Sequence, residues 1–389
     1  MYEIENVLRD YAWGSTTAIA ALLGRPESGR PEAELWIGAH PDSPSTARVP
    51  GDGPAGTALD ALISSDPDHY LGADSVARFG PRLPFLAKIL AAAQPLSLQV
   101  HPSLEQARAG FARENAEGVP AGAPNRNYRD DNHKPEMILA LTPFEALCGF
   151  RPVAETREIL AHVAAACGSS EAGVPALVEE LQEDLAASDE GQALRNAFER
   201  LITGGRSVAE DTALVVAALL SEAALAPHEA ELKTVISLNE KYPGDPGVLI
   251  SLLLNRVSLA PGEAVYLPAG NVHAYLHGLG VEVMASSDNV LRGGLTPKFV
   301  DVPELLRTVD FQPVAVPMLA AERTAPGPGS VPPAVRGVPA PAHRARAGRG
   351  PGPAGAVRGG RGHRGGRRYL PGLAQGRPAA VEGRQRLPG

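Results

Sequence analysis

Four residues of metal-binding type lie on or beside stretches that the sequence predicts to be β-strands: Gln99, His101, Glu136 and His273. Two imidazoles, one carboxylate and one amide oxygen suit Zn²⁺ with a position left open for water or a substrate. One carboxylate with three neutral ligands leaves a net charge of about +1 on such a site. A zinc ion held in this way is a Lewis acid that polarises a hydroxyl or carbonyl oxygen.

The predicted strand at 95–102 carries two of these residues on one face. Ser97, Gln99 and His101 alternate with apolar residues, and alternate side chains of a strand share a face. Such a polar face either meets solvent or forms the wall of a polar pocket. The sequence leaves both interpretations open.

The other two residues stand at the starts of further predicted strands. Lys134 and Glu136 precede the apolar run at 137–141, so they form either a salt bridge at the strand entrance or a metal ligand with a neighbouring cation. His273 follows a predicted β-hairpin at 257–267 and a Pro-Ala-Gly-Asn corner. Considered alone, a histidine at a hairpin end is more often a buried structural residue, but the surrounding pattern here favours a metal ligand.

Cations accompany these residues in the sequence: Lys88, Lys134, Arg292 and Lys298. An excess of positive charge beside a metal site suits an anionic substrate such as a phosphate ester. Glu282 lies in an otherwise apolar predicted strand, where burial would raise its pKa and make it a proton carrier. Pairing with one of the cations is the alternative role for this carboxylate.

The overall composition limits the class of protein. In 389 residues with a net charge of −8, no run reaches the roughly 18 apolar residues of a membrane span. The first residues lack the basic and apolar regions of a signal peptide. Two cysteines, Cys148 and Cys167, predict neither a disulfide framework nor a cysteine-type zinc site, and they fit a reducing cytoplasm.

Changes of composition along the chain predict its domains. Helical periodicity at 152–250 predicts an insertion of four or five helices, which splits a β-rich catalytic domain at 1–151 and 251–312. We expect the remaining region, 313–389, to be disordered. Gly, Pro and Arg make up 40 of the 67 residues from Arg323 to Gly389, too few apolar side chains to bury a core.

Two interpretations account for this basic C-terminal region. One is a nucleic-acid-binding Arg/Gly tail. The other, which we favour, is a frameshift near residues 323–335, because GC-rich coding DNA read out of frame has this composition. We therefore expect no nucleic-acid partner and no membrane partner.

Long motifs resemble one family. The spacing G-x5-P-x-G-x2-H that ends at His273 resembles the second metal motif of cupin jelly rolls. Tyr-x-Asp-x-Asn-His-Lys-Pro-Glu at 128–136 and His-Ala-Tyr-Leu-x-Gly-x-x-Val-Glu-x-Met-Ala-x-Ser-Asp-Asn-x-Leu-Arg at 273–292 are similar to the two signatures of type I mannose-6-phosphate isomerases, which belong to the cupin superfamily. The resemblance covers about residues 1–312. Gly293 departs from the Arg-Ala-Gly that this family usually has.

The resemblance implies a mainly β fold with a helical insertion: a cupin-like jelly-roll catalytic domain plus an α-helical domain. A second jelly roll is expected in the family and is disrupted in this sequence. It further implies one Zn²⁺ per chain, a monomer in the cytoplasm, and these metal ligands: Gln99, His101, Glu136 and His273.

The implied reaction interconverts D-mannose 6-phosphate and D-fructose 6-phosphate through a cis-enediol. Arg292 would be the catalytic arginine, and Lys134 and Glu282 are the candidates for the base. The residues expected to bind substrate are Ser97, Lys298, Trp13 and Lys88. Two alternatives are a zinc isomerase of a non-phosphorylated sugar and a non-catalytic zinc cupin that binds sugars.

Overall fold

The computed structural model describes residues 2–49, 55–221 and 224–319. Its strands are β1 Glu3–Glu5, β2 Val7–Arg9, β3 Glu34–Ile37, β4 Thr46–Arg48, β5 Thr57–Ala58, β6 Phe85–Ala92, β7 Gln99–Val100, β8 Glu136–Ala140, β9 Phe144–Phe150, β10 Leu254–Leu259, β11 Ala264–Leu267, β12 His273–Ala285, β13 Leu291–Arg292 and β14 Met318–Leu319. Its helices are α1 Ala18–Leu22, α2 Leu59–Ser65, α3 Pro67–Leu71, α4 Ala73–Phe79, α5 Leu104–Ala116, α6 Val153–Gly168, α7 Ala176–Asp184, α8 Glu190–Thr203, α9 Gly205–Leu219, α10 Glu229–Lys241, α11 Gly247–Ile250 and α12 Val302–Thr308, with a 3-10 turn at Ser251–Leu253.

The long strand β12 belongs to both layers of an antiparallel β-structure. Its residues 278–285 pair with β6 and β8 in one layer, whose strand order is β14-β11-β8-β12-β6-β3-β2. Its residues 273–277 pair with β7 and β9 in the other layer, which β10 and β13 complete. Apolar side chains from both layers, such as Ile138 and Phe144, pack between them. The prediction of a mainly β fold with a helical insertion is confirmed.

Gly278 is the point at which β12 passes from one layer to the other. Its φ of +130° lies in a region that residues with a Cβ rarely adopt. A Cβ built at this position would also lie 2.6 Å from the ring of Phe144. Glycine is therefore required both by the backbone conformation and by the close approach of β9.

The predicted hairpin at 257–267 is wrong in its pairing, although both of its strands form. β10 pairs with β9, whereas β11 pairs with β8 and β14 in the other layer. The turn between them is closed by a hydrogen bond from Glu263 N–H to the carbonyl of Ala260, but it crosses between the sheets. Local turn residues do not determine which sheet receives the next strand.

Helices α6 to α11 cover the outer face of the second layer. Five of them, α6 to α10, match the number predicted for 152–250, and α11 is a single further turn. Phe198 of α8 packs against Phe150 of β9 and against Phe311, with ring centroids 6.1 and 5.6 Å apart. The helical layer and the second sheet share one apolar core.

The predicted domain boundaries remain predictions. Residues 318–319 form β14 and pair with β11, so the first part of the predicted C-terminal region adds a strand to the sheet. The Gly/Pro/Arg-rich stretch from Arg323 onward lies outside the described residues. Among the helices of the described ranges, none is long and apolar enough to span a bilayer.

Candidate metal centre and substrate pocket

Backbone pairing places three of the predicted site residues side by side. His273 in β12 is opposite Gln99 in β7, and Gln99 is in turn opposite Arg292 in β13. Side chains at directly opposite positions have their Cβ atoms roughly 5 Å apart. The side chains of Gln99, His273 and Arg292 therefore extend from neighbouring backbone positions near the start of β12.

His101, Glu136 and His273 converge in the interior. One ligand atom from each lies within 4.8 Å of the other two. Each carboxylate oxygen of Glu136 lies near one imidazole. Oε1 is 3.3 Å from His101 Nε2, and Oε2 is 3.3 Å from His273 Nε2. All three side chains are buried.

In each imidazole, the hydrogen-bond partner of Nδ1 determines whether Nε2 has a hydrogen or a lone pair. Nδ1 of His101 lies 2.7 Å from the carbonyl oxygen of Asn289, and Nδ1 of His273 lies 3.0 Å from that of Asn271. A carbonyl oxygen only accepts, so in the neutral imidazoles each Nδ1 carries the hydrogen and each Nε2 presents a lone pair towards the Glu136 carboxylate.

Lone pairs that face a carboxylate repel it unless a cation lies among them. Within the described residues, His101 Nε2 is buried and has no hydrogen-bond partner. Burial also lowers the pKa of His101 to about 4, so this imidazole is neutral at pH 7. Imidazoles oriented by backbone carbonyls and converging on a carboxylate are the donor set of a zinc site, and these residues fit that ion.

A cavity of about 450 Å³ opens from this centre and brings the predicted site together. Ten of the eleven predicted residues line it: Trp13, Lys88, Ser97, Gln99, Lys134, Glu136, His273, Glu282, Arg292 and Lys298. His101, the eleventh, lies behind Glu136 and is 1% exposed. A pocket of this size is typical of small-molecule sites.

A buried network of charges forms one wall of the cavity. Lys88 Nζ lies 3.0 Å from Glu282 and 3.5 Å from Glu34, so one ammonium serves two carboxylates. The hydroxyl of Tyr275 donates to Glu282 at 2.9 Å, and the indole N–H of Trp36 donates to Glu34 at 2.7 Å. Burial raises the pKa of Glu282, although Lys88 opposes the change. Both sequence-based alternatives for Glu282, ion pairing and a raised pKa, thus apply together.

Three cations at another part of the cavity face one another: Arg129, Arg292 and Lys298. Burial lowers the pKa of Lys298, and the charges of Arg292 and Arg129 lower it further. Across the described ranges, none of the ion pairs involves a carboxylate and one of these three side chains. Such a cluster is stabilised by a bound anion.

Among the pocket residues that sequence reasoning missed are Glu34, Arg129 and Tyr275. Glu34 stands two residues before Trp36 on β3, so it shares that residue's face. Arg129 lies inside the motif at 128–136, where the motif itself specifies no residue type. Tyr275 is two residues after His273 on β12, and this alternation is the signal that could have identified it.

Comparison with known proteins agrees with this geometry. Residues 1–153 match the family model described as phosphomannose isomerase type I, catalytic domain. The chain is 44% identical over 314 residues to the mannose-6-phosphate isomerase of Escherichia coli, covering 80% of this chain and 75% of that protein. The chain belongs to the mannose-6-phosphate isomerase family. The human mannose-6-phosphate isomerase, at 35% identity over 328 residues, has 74% of its length covered.

Solved structures of the family share the fold. A mutant phosphomannose isomerase from Salmonella typhimurium superposes with a TM-score of 0.73 at 39% identity, over 83% of this chain and 78% of that one. A zinc-bound holo mannose 6-phosphate isomerase gives 0.70 at 41% identity, over 80% and 75% of the two chains. The family resemblance inferred from the sequence motifs is confirmed.

Proposed function

We propose that this chain is a zinc-dependent aldose–ketose isomerase that interconverts D-mannose 6-phosphate and D-fructose 6-phosphate. One observation carries the proposal: a buried His-Glu-His centre with converging lone pairs opens into a cavity in which, among the described residues, Arg129, Arg292 and Lys298 form no ion pair with a carboxylate. The relatives named above are mannose-6-phosphate isomerases, which supports mannose 6-phosphate as one of the two substrates. The monomeric state and the cytoplasmic location remain predictions.

His101, Glu136 and His273 would hold the zinc ion, with the amide of Gln99 as the fourth ligand. The bound ion would be a Lewis acid able to polarise oxygens of the open-chain sugar. Lys134 lies 3.1 Å from Glu136 and holds that carboxylate in place. Burial would raise the pKa of Glu136, but the charge of Lys134 helps to hold it well below its usual range.

The cations divide between the two ends of the substrate. Arg292 lies beside Gln99 through the β7–β13 register, so its guanidinium is placed to stabilise negative charge that develops on O1 and O2. Arg129 and Lys298 complete the cluster and bind the phosphate, since a dianion relieves their mutual repulsion. Ser97 and Trp13 line the space between.

Proton transfer is assigned to Glu282. This carboxylate accepts the proton from C2 while the electron pair of the C–H bond moves towards the C1 carbonyl, which gives a cis-enediolate. The proton then returns to C1, and the hydroxyl proton of O2 passes to O1, which gives the ketose. Lys88 and Tyr275 hold the carboxylate in position during both transfers. Lys134, the other candidate base, is engaged by Glu136 instead.

A substrate comparison tests the proposal. The zinc-loaded chain should convert mannose 6-phosphate to fructose 6-phosphate and should leave free mannose unchanged at the same concentration. Equal conversion of the two sugars would favour the isomerase of a non-phosphorylated sugar. Binding of sugar phosphate without any turnover would favour the non-catalytic cupin.

A further inference from the structure

The side chain of Asn289 joins two loops that carry the long sequence motifs. Its amide oxygen accepts hydrogen bonds from the backbone N–H groups of Arg129 at 2.7 Å and Asp130 at 3.2 Å. Its amide nitrogen donates to the carbonyl oxygens of Asp130 and Asn132, both at 2.8 Å. The side chain is fully buried, and the loop at 129–132 satisfies both ends of its amide.

The backbone of the same residue contacts the metal centre. The carbonyl oxygen of Asn289 lies 2.7 Å from Nδ1 of His101. This contact sets the plane of the imidazole and directs Nε2 towards Glu136. Asn289 therefore contacts a metal-ligand imidazole through its backbone and the backbone of Arg129 through its side chain.

We propose that Asn289 is a positioning residue that fixes the distance between the metal centre and the anion-binding Arg129. The inference rests on the proposed function, in which the sugar oxygens bind at the metal and the phosphate binds beside Arg129. An open-chain sugar phosphate has several rotatable bonds, so only a fixed separation of the two binding points selects the reactive conformer. An amide is suited to this position because it offers an acceptor to two N–H groups and donors to two carbonyls.

Ser287 provides a matched control within the same junction. Its hydroxyl donates to the carboxylate of Asp130 at 2.8 Å and lies 3.2 Å from the carbonyl of Asn132, so it joins the same two loops. Like Asn289, it is buried. Among the described residues, its hydroxyl contacts these two residues and accepts a hydrogen bond from the backbone N–H of Asn289. A residue that only stabilises the junction should behave as Ser287 does.

A double-mutant cycle separates positioning from stability. The zinc-loaded enzyme would be prepared with Arg129→Ala, Asn289→Ala and both substitutions, and inhibition by inorganic phosphate would be measured. We expect each single substitution to raise the inhibition constant roughly tenfold, and the double variant to match Arg129→Ala alone, because Asn289 acts through Arg129. Zinc affinity, titrated with a competing chelator, should fall about tenfold in Asn289→Ala and be unchanged in Arg129→Ala.

Ser287→Ala should lower the unfolding midpoint and leave the phosphate inhibition constant and the zinc affinity near wild type. Additive effects in the double variant, or an unchanged zinc affinity in Asn289→Ala, overturn the inference. If Ser287→Ala changes phosphate inhibition and zinc affinity as much as Asn289→Ala does, the inference is also overturned. If Arg129→Ala leaves phosphate inhibition unchanged, the anion site of the proposed function is wrong and the inference fails with it. If Asn289→Ala does not fold, Asn289→Ser, which retains a hydroxyl acceptor, takes its place in the cycle.

Discussion

The ammonium of Lys88 lies 3.0 Å from the carboxylate of Glu282 in the wall of the cavity. Glu34 approaches the same ammonium at 3.5 Å, so two buried carboxylates share one cation. This arrangement leaves one negative charge uncompensated within the network. An imbalance of this kind keeps one carboxyl easy to protonate, which is the property required of a group that carries a proton between two carbons.

Glu282→Gln removes the proton carrier and retains its shape. We expect kcat to fall about 10²- to 10⁴-fold, since general acid–base groups typically contribute that much. Bound zinc should remain near wild type. Steady-state turnover of mannose 6-phosphate and metal analysis of the same preparation check both expectations. Glu34→Gln, which alters the other carboxylate beside Lys88, is the control and should lose less kcat. If the two variants have equal kcat, Glu282 is not the carrier.

Glu136→Gln weakens the metal centre, because the amide removes the negative charge that both imidazoles face. We expect zinc to be lost on dialysis together with turnover. Elemental analysis of the dialysed protein measures the first effect. Glu32→Gln alters another buried carboxylate, which pairs with Arg25 at 2.8 Å, and should retain zinc. Full zinc content in Glu136→Gln would contradict the ligand assignment.

Substitution of Arg292 should mainly lower kcat, whereas substitution of Lys298 should mainly raise KM. Arg292→Ala removes a cation beside the metal centre, so we expect kcat to fall roughly 10²- to 10³-fold with zinc retained. Lys298→Ala removes a cation of the phosphate cluster, so KM should rise about tenfold with a smaller change in kcat. Measurement of kcat and KM for both variants tests these roles. If Arg292→Ala mainly raises KM and Lys298→Ala mainly lowers kcat, the two roles are exchanged.

Glu304 makes the stability of the fold depend on pH in the acid range. Burial would raise the pKa of Glu304, but hydrogen bonds from Arg307 and Tyr128 and the charge of Arg113 lower it below its usual value. A carboxyl with a lowered folded pKa contributes stability above its unfolded pKa of about 4.3, and this stability is lost as pH falls through the folded value. Urea unfolding at pH 7 and pH 4 should therefore show a smaller difference for Glu304→Gln than for wild type. An equal difference would rule out this role.

Strand alternation predicted the part of the site that lies on continuous chain segments. Ser97 and Gln99 line the same cavity, as alternation predicted, although the strand predicted at 95–102 is only Gln99–Val100 in the structure. The apolar run at 137–141 marked Glu136 as the entrance to a buried strand. Arg129 and Asn289 could not be inferred in this way. Their roles depend on contacts across about 160 residues of sequence, and no local periodicity reports such contacts.

The predicted strand pairing of the hairpin at 257–267 is wrong for the same physical reason. The turn residues predicted a reversal of the chain correctly, but the packing of β10 on β9 and of β11 on β8 determined the partners. In a two-layer β-structure, a tight turn serves equally well to close a hairpin or to connect the sheets. The choice depends on the apolar side chains between the layers, which are brought together only in the folded chain.

Removal and restoration of zinc tests whether this chain is a zinc-dependent isomerase of mannose 6-phosphate. The purified chain would be assayed for conversion of mannose 6-phosphate to fructose 6-phosphate as prepared, after treatment with a chelator, and after addition of one equivalent of Zn²⁺. We expect turnover to be lost with the metal and recovered with it, at a stoichiometry of one zinc per chain. Turnover that persists in metal-free protein, or a soluble chain that binds zinc and converts no mannose 6-phosphate, would contradict it.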